Sequence, residues 1–375
     1  MTRRPDVVVI GAGIVGAACA EALAGRGMSV LVVDAGFTGC GTTAAGMGHL
    51  VVMDDSPAQL ALTAYSTKLW SELAHELPAS VEYDSCGTLW LAEDDGQLQA
   101  LDQKRAVYTG SNVSSELLSP AQLVEAEPNL RTGLAGALHV PADGVLYPPG
   151  AAQALMSRAI ASGARLREGV RVNAIREHSV LLDGETISCD YVVNAAGAGA
   201  AILTPRLPIV PRKGHLVITD RYPGFCRHQL VELGYLASAH TMSSESVAFN
   251  LQPRTTGQLL IGSSRELAGW DAAVNHSIVS RMMGRALDFM PSLAGTIALR
   301  IWTGFRPATP DKLPLIGPWE ATPGLWIAAG HEGLGITSSL ATARILADLI
   351  TGVAPLIDAT PYSPARIVSS EMSAQ

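Results

Sequence analysis

Apolar positions along the chain fall into two textures. Short β-branched runs that break into glycine turns occur near the N-terminus, near residue 190 and near residue 325; the stretches between them mix amphipathic helices with alternating strands. Asp6 to Ile10 is one such run. A glycine turn follows, Ile14 to Ala24 has helical character, Gly27 can end that helix, and Ser29 to Val33 is apolar again. That order predicts a βαβ unit. Ser56 then supplies a helix cap and Pro57 a first-turn proline, and Leu60, Leu69, Trp70, Leu73 and Leu77 recur at helical spacing as far as Pro78. From Val81 to Val140, short strands such as Gly87 to Ala92 alternate with a polar helix around Asp94 to Tyr108 and a second Ser-Pro start at Ser119 and Pro120. After Pro149 the pattern predicts a helix over Ala151 to Ser162. A strand over Tyr191 to Asn194 then breaks into Ala195, Ala196, Gly197, Ala198 and Gly199. Between Lys213 and Arg300, the runs Val247 to Gln252 and Leu259 to Ser263 flank a Thr-Thr-Gly-Gln turn at 255 to 258 and predict an antiparallel sheet. Leu325 to Ala329, a glycine-rich turn and a helix from about Ile336 to Ile350 close the pattern.

A length of 375 residues predicts two domains, and 48% hydrophobic against 16% charged residues gives ample material for their cores. The formal net charge of -8 and the absence of any Lys/Arg-rich run speak against nucleic acid as a partner. The five cysteines, Cys19, Cys40, Cys86, Cys189 and Cys226, are odd in number and far apart, which disfavours a disulfide framework; no metal site is expected either. Arg3 and Arg4 ahead of Val7 to Ala20 imitate an export signal. The run is filled by a glycine motif, however, and no small-residue cleavage site follows it. The chain is therefore expected in the cytoplasm, at most peripheral to the inner membrane surface. Its next most apolar stretch, Trp326 to Ile350, is interrupted by His331, Glu332, Arg344 and Asp348, so no transmembrane segment is expected.

Gly11, Gly13 and Gly16 form G-x-G-x-x-G between strand and helix. The first glycine allows the tight turn, the second lets backbone approach a pyrophosphate, and the third admits close helix packing. Asp34, 18 residues after Gly16 at the end of the second strand, stands where a carboxylate accepts hydrogen bonds from an adenosine ribose. An acid at that place disfavours NADP.

Asp34 leads into Thr42, Thr43, Ala44, Ala45, Gly46, Met47, Gly48 and His49 and not straight into a further crossover helix. With the glycine motif, this segment resembles the FAD-dependent D-amino-acid oxidase and glycine oxidase superfamily, which includes the sarcosine oxidases. Trp302-Thr-Gly-Phe-Arg-Pro-Ala-Thr-Pro-Asp-Lys-Leu-Pro-Leu-Ile-Gly317 is similar to the superfamily's W-x-G-x-R-P-x-T-x-D-x-x-P-x-I-G, and Ala328-Ala-Gly-His-Glu-Gly-Leu-Gly-Ile336 to its A-x-G-H-x-x-x-G-I. The resemblance runs in order from residue 6 to about 350. It implies an α/β fold: a glutathione-reductase-like, Rossmann-type FAD-binding domain over 1–50, 143–205 and 301–365. That domain would be interleaved with an α+β substrate domain, containing an antiparallel sheet, over 51–142 and 206–300.

The implied site follows residue by residue. Arg306, beside fixed turns made by Pro307 and Pro310, offers the bidentate fork that a substrate carboxylate needs, with Arg212 and Arg254 as the next candidates. Thr42 and Thr43 would bond the pyrophosphate, Gly46 and Met47 would lie along the isoalloxazine, and the Val172 backbone, in a strand after Gly163 and Ala164, would meet adenine. Gly197 and the final turn with Gly330, His331, Gly333, Leu334, Gly335, Ile336 and Thr337 complete the flavin set; the helix that this turn opens can stabilise negative charge on a reduced flavin. His49 and Tyr235 are candidate substrate contacts, each with a packing role as the alternative. Monomeric sarcosine oxidases carry a flavin-bonding cysteine where this chain has Gly304, so the FAD is expected to be non-covalent.

The implied reaction is oxidation of an amino acid at its α C–N bond to an imine. Gly46 to Ser56, Gly87 to Trp90 and Asp143 to Pro149 look most like bacterial D-hydroxyproline dehydrogenases, which implies cis-4-hydroxy-D-proline and D-proline as substrates and a pyrroline-2-carboxylate as product. Glycine/sarcosine oxidase and the flavin subunit of hydrogen cyanide synthase are the close alternatives. A non-catalytic FAD-binding subunit is the alternative of another class. A homo-oligomer or partner redox subunits fit the resemblance.

Overall fold

The structure is a computed structural model that describes residues 4–234 and 245–367. Two sheets organise it. The first has six strands in the order Leu315–Pro318, Leu325–Ala329, Tyr191–Asn194, Val7–Ile10, Val30–Val33 and Arg165–Arg167. All its pairs are parallel except Leu315–Pro318 with Leu325–Ala329. A parallel sheet buried on both faces reads as continuous apolar sequence, and the strands VVVI and VLVV are fully buried. Val7, Val9, Val30 and Val32 face the helices Ile14–Ala24, Pro148–Ala161 and Gly335–Ile350. Val8, Ile10, Leu31 and Val33 face a small antiparallel sheet carrying Val180, Leu182 and Ile187.

The second sheet has eight strands, Ala298–Ala308, Val210–Arg221, Gln258–Glu266, Glu245–Pro253, Gln229–Glu232, Thr88–Ala92, Gly136–Val140 and Glu116–Leu118 in that order. The expected antiparallel hairpin is present and longer than predicted. The pairing of Gln229–Glu232 with Thr88–Ala92 is parallel, so this sheet is mixed. Its outer face carries Leu89, Leu91, Leu230, Phe249, Leu251 and Ile261 against the helix His276–Phe289. The residues between them point the other way: Trp90 and Val231 pack with Val51, Val52, Met53 and the helix Asp95–Gly110, and Leu260 packs with Met47.

Start and stop signals placed most elements well. Ser56 accepts a hydrogen bond from Gln59 N at the head of Pro57–Leu73, and Ser119 with Gln122 forms a capping box before Pro120–Ala126. Three expectations need correction. The helix expected from Ala151 starts at Pro148, because proline suits the first helical turn. Val172 is not in a strand: Arg165–Arg167 ends, Gly169 takes φ +68°, and Val172 lies in the link to Ala174–Arg176. The strand Ala298–Ala308, which crosses the boundary expected at 301, pairs along Val210–Arg221 in the eight-stranded sheet.

Candidate active site

A cavity of ≈ 520 Å³ runs between the two sheets. At one end lies the turn after Val7–Ile10. Gly11 has φ +104°, and a Cβ on Gly16 would lie 1.9 Å from the Gly11 carbonyl oxygen, so the turn and the first helix can meet only through glycine. Gly13 caps the helix without any side-chain bond, and Ile14 N donates to Thr43 Oγ1 at 3.0 Å. Asp34 accepts from Ala12 N and Gly36 N, each at 2.6 Å, which fixes its carboxylate at the cavity wall.

The middle of the cavity is formed where the short helix Thr42–Ala45 abuts the strand Ala298–Ala308. Thr42 donates to the Phe305 carbonyl at 2.8 Å, so both threonine hydroxyls already hold protein partners. A Cβ on Gly304 would lie 2.4 Å from Ala45 Cβ, so a larger residue would have to displace that helix. Met47 is held by its carbonyl, which accepts from Gln252 Nε2 at 2.6 Å.

Beyond this point the wall becomes charged. Arg306 donates from Nη1 to the Ser264 carbonyl at 2.9 Å. Its guanidinium occupies space that a Cβ on Gly214 would fill, 2.2 Å from Nη1. Glu332, at φ +50°, lies 3.2 Å from Arg265 Nε and 3.8 Å from Arg212 Nη1. Burial alone would raise the Glu332 carboxyl, but Arg265, Arg306 and Arg212 outweigh it and hold it at about 2. His49 is lowered to about 4, first by burial and then by the Arg306 charge, so its imidazole is neutral at pH 7. A second, smaller chamber of ≈ 60 Å³ opens here and shares His49, Asn250, Glu332 and Gly333 with the main cavity.

Of the residues expected at the site, Gly11, Gly13, Asp34, Thr42, Thr43, Gly46, Met47, His49, Val172, Gly197, Gly304, Arg306, His331, Gly333, Gly335 and Ile336 line the main cavity. Gly16, Gly330, Leu334 and Thr337 do not. Gly16 packs on Gly11, Gly330 packs on Thr309, and Leu334 borders only the smaller chamber. Thr337 is buried and donates to the His49 carbonyl at 2.8 Å, tying that segment to the last helix. Arg254 is absent from both chambers because Glu82 holds it, at 3.0 Å from Nε. Arg212 does border the smaller chamber. Tyr235 lies outside the described residues. The sequence reading did not single out Asn250, Ser263, Arg265 or Glu332. Alternation along the hairpin strands was the available signal for Asn250, as a polar position between Phe249 and Leu251.

This geometry can be set beside known proteins. The family model described as FAD dependent oxidoreductase matches residues 6–349. The chain belongs to that family, and the protein is an FAD-dependent oxidoreductase with a Rossmann-like FAD-binding fold. It is 30% identical over 382 residues to a glycine oxidase of Geobacillus kaustophilus, covering 98% of each chain. It is 31% identical over 323 residues to a D-amino acid dehydrogenase of Xanthobacter autotrophicus, covering 82% of this chain and 73% of the relative. The crystal structure of an L-proline dehydrogenase from P. horikoshii superposes with a TM-score of 0.89 at 25% identity, over 99% of both chains. The glycine turn, the uncapped helix start and the fixed Asp34 carboxylate fit a dinucleotide, as the family requires. Among the described residues no helix is long and apolar enough to cross a membrane, and no cluster of His, Cys, Asp and Glu can hold a metal ion.

Proposed function

We propose that the protein oxidises a small amino acid at its α C–N bond to the imine, with a ring amine, cis-4-hydroxy-D-proline or D-proline, as the preferred substrate. The observation that carries this reading is Arg306, whose guanidinium stands in the cavity in space left by Gly214. A planar fork there suits a carboxylate. In this reading Gly11, Gly13 and the start of Ile14–Ala24 hold the pyrophosphate, Asp34 the ribose, and Gly46 with Met47 the ring system. FAD held by these residues would supply the hydride acceptor that oxidation at the α carbon needs. Arg306 orients the substrate, and Glu332 offsets part of the positive charge of Arg212 and Arg265. Neutral His49 adds no further positive charge beside Arg306. The crowding at Gly304 supports flavin held without a covalent bond.

Likeness to both a glycine oxidase and a proline dehydrogenase defines the substrate classes to separate. Anaerobic mixing with cis-4-hydroxy-D-proline, D-proline, sarcosine, glycine and D-alanine should bleach the flavin first with the two proline compounds, since each buried methylene adds about 0.8 kcal/mol. Fast bleaching by glycine with none by D-proline would establish the acyclic class instead.

A further inference from the structure

The smaller chamber is the least explained part of the site. Three adjacent strands of the eight-stranded sheet form one wall: Trp90 pairs with Val231, and Val231 pairs with Asn250. Gln229 stands two residues before Val231. Side chains opposite one another, or two apart on a strand, share a face, so Trp90, Gln229 and Asn250 all project to the same side. Each borders the chamber and is at most 3% exposed.

All three present a buried polar atom without a hydrogen-bond partner: Trp90 Nε1, Gln229 Oε1 and Asn250 Oδ1. His49 Nε2, at the junction with the main cavity, is a fourth, and its imidazole stands beside Asn250, so these two count as one polar position. Buried polar groups are normally satisfied, so several orphans around one small space point to a group that arrives with the ligand. Its chemistry can be read from them. Trp90 Nε1 only donates, whereas the two amide oxygens only accept. A carboxylate, though Arg212, Arg265 and Lys312 also border the chamber, would leave the amide oxygens unpaired, and an ammonium would leave Trp90 unpaired. A hydroxyl both accepts and donates and so fits both.

We propose that Trp90, Gln229 and Asn250 form a subsite that reads a hydroxyl group on the substrate and set the preference for a hydroxylated amino acid over its deoxy analogue. This rests on the amino-acid oxidation proposed above and narrows its substrate class. Removing the hydroxyl from a ligand leaves buried partners unpaired, a difference of about tenfold to a hundredfold in specificity.

The test compares cis-4-hydroxy-D-proline with D-proline at sub-saturating concentration, reading the rate of anaerobic flavin bleaching. It uses the FAD-loaded wild type and the variants Asn250→Leu and Trp90→Phe, which remove an acceptor and a donor separately. The ratio of the two rates is internal to each preparation and does not depend on the fraction of active protein. The wild type should prefer the hydroxylated compound about tenfold or more, and each variant should bring the ratio toward one. Equal rates in the wild type, or a ratio preserved in both variants, would overturn the subsite and leave the amino-acid reading intact. Bleaching by glycine with none from either proline compound would overturn the ring-amine reading and this proposal with it.

Discussion

The two ends of the cavity are built by different means. At the C-terminal end of the central strand Val7–Ile10 the wall is backbone: Gly11, Gly13 and an uncapped helix start, with space so tight that a single Cβ on Gly16 is excluded. Along the inner face of the eight-stranded sheet the wall is side chain: Arg306 reaches inward, as do Asn250, Gln229 and Trp90 from strands whose alternate residues form an apolar core. A backbone wall suits a ligand part shared by a whole family. A side-chain wall can change one residue at a time and so can follow the substrate.

The largest expected effect breaks the backbone end. Gly16→Ala places its Cβ on the Gly11 carbonyl, a clash between two backbone segments that no rotamer relieves. Overpacking of this kind costs more than about 3 kcal/mol. The variant should purify without FAD or not fold, as judged by flavin stoichiometry and Tm. A yellow variant of normal Tm would show that the turn can move. Next comes the outer face of the large sheet, where Phe249 stacks on Phe289 with ring centroids 4.6 Å apart. Phe249→Ala should lose about 3 to 5 kcal/mol by urea unfolding. Its folded fraction should keep the substrate preference, because the neighbouring Asn250 points to the other face.

That contrast also explains what could be read from the sequence. Gly11, Gly13, Gly16 and Asp34 lie within 24 residues and obey a fixed spacing, because backbone geometry dictates residue type locally. Arg306 was legible through the prolines that follow it and the family motif. Trp90 lies well over a hundred residues before Gln229 and Asn250, and only the pairing of Trp90 with Val231 and of Val231 with Asn250 brings the three together. Glu332 sits inside a motif that was recognised, yet its partners Arg212 and Arg265 come from the other sheet. The strand Ala298–Ala308 runs across the boundary expected at 301, since its sequence carries no mark of the sheet that it joins.

Arg306→Lys tests the side-chain end alone. Lysine keeps the charge but loses the fork, so about 1.5 to 3 kcal/mol of carboxylate binding should disappear, seen as a rise of roughly tenfold to a hundredfold in KM. The flavin spectrum and Tm should stay near those of the wild type, because Gly11, Gly13 and Asp34 lie at the other end of the cavity. A loss of flavin would mean that the two ends are coupled.

The smallest effect concerns His331, which belongs to the final turn yet carries a titratable side chain. It is buried, its Nε2 lies 2.9 Å from Thr342 Oγ1, and burial lowers its pKa from 6.5 to about 3. In the unfolded chain it titrates near 6.5. Between about 6.5 and 3 the unfolded state therefore binds more protons than the folded one, so stability falls as the pH falls through that window. At pH 5 this amounts to about 2 kcal/mol relative to pH 7. His331→Asn has no such proton to take up, so its urea midpoint should fall less than that of the wild type between pH 7 and pH 5. His49, lowered to about 4, acts with the same sign over the upper part of the window, and a double variant should flatten the profile further. Parallel profiles for wild type and His331→Asn would mean that the imidazole can be protonated without unfolding, and that the final turn is more open to solvent than its packing indicates.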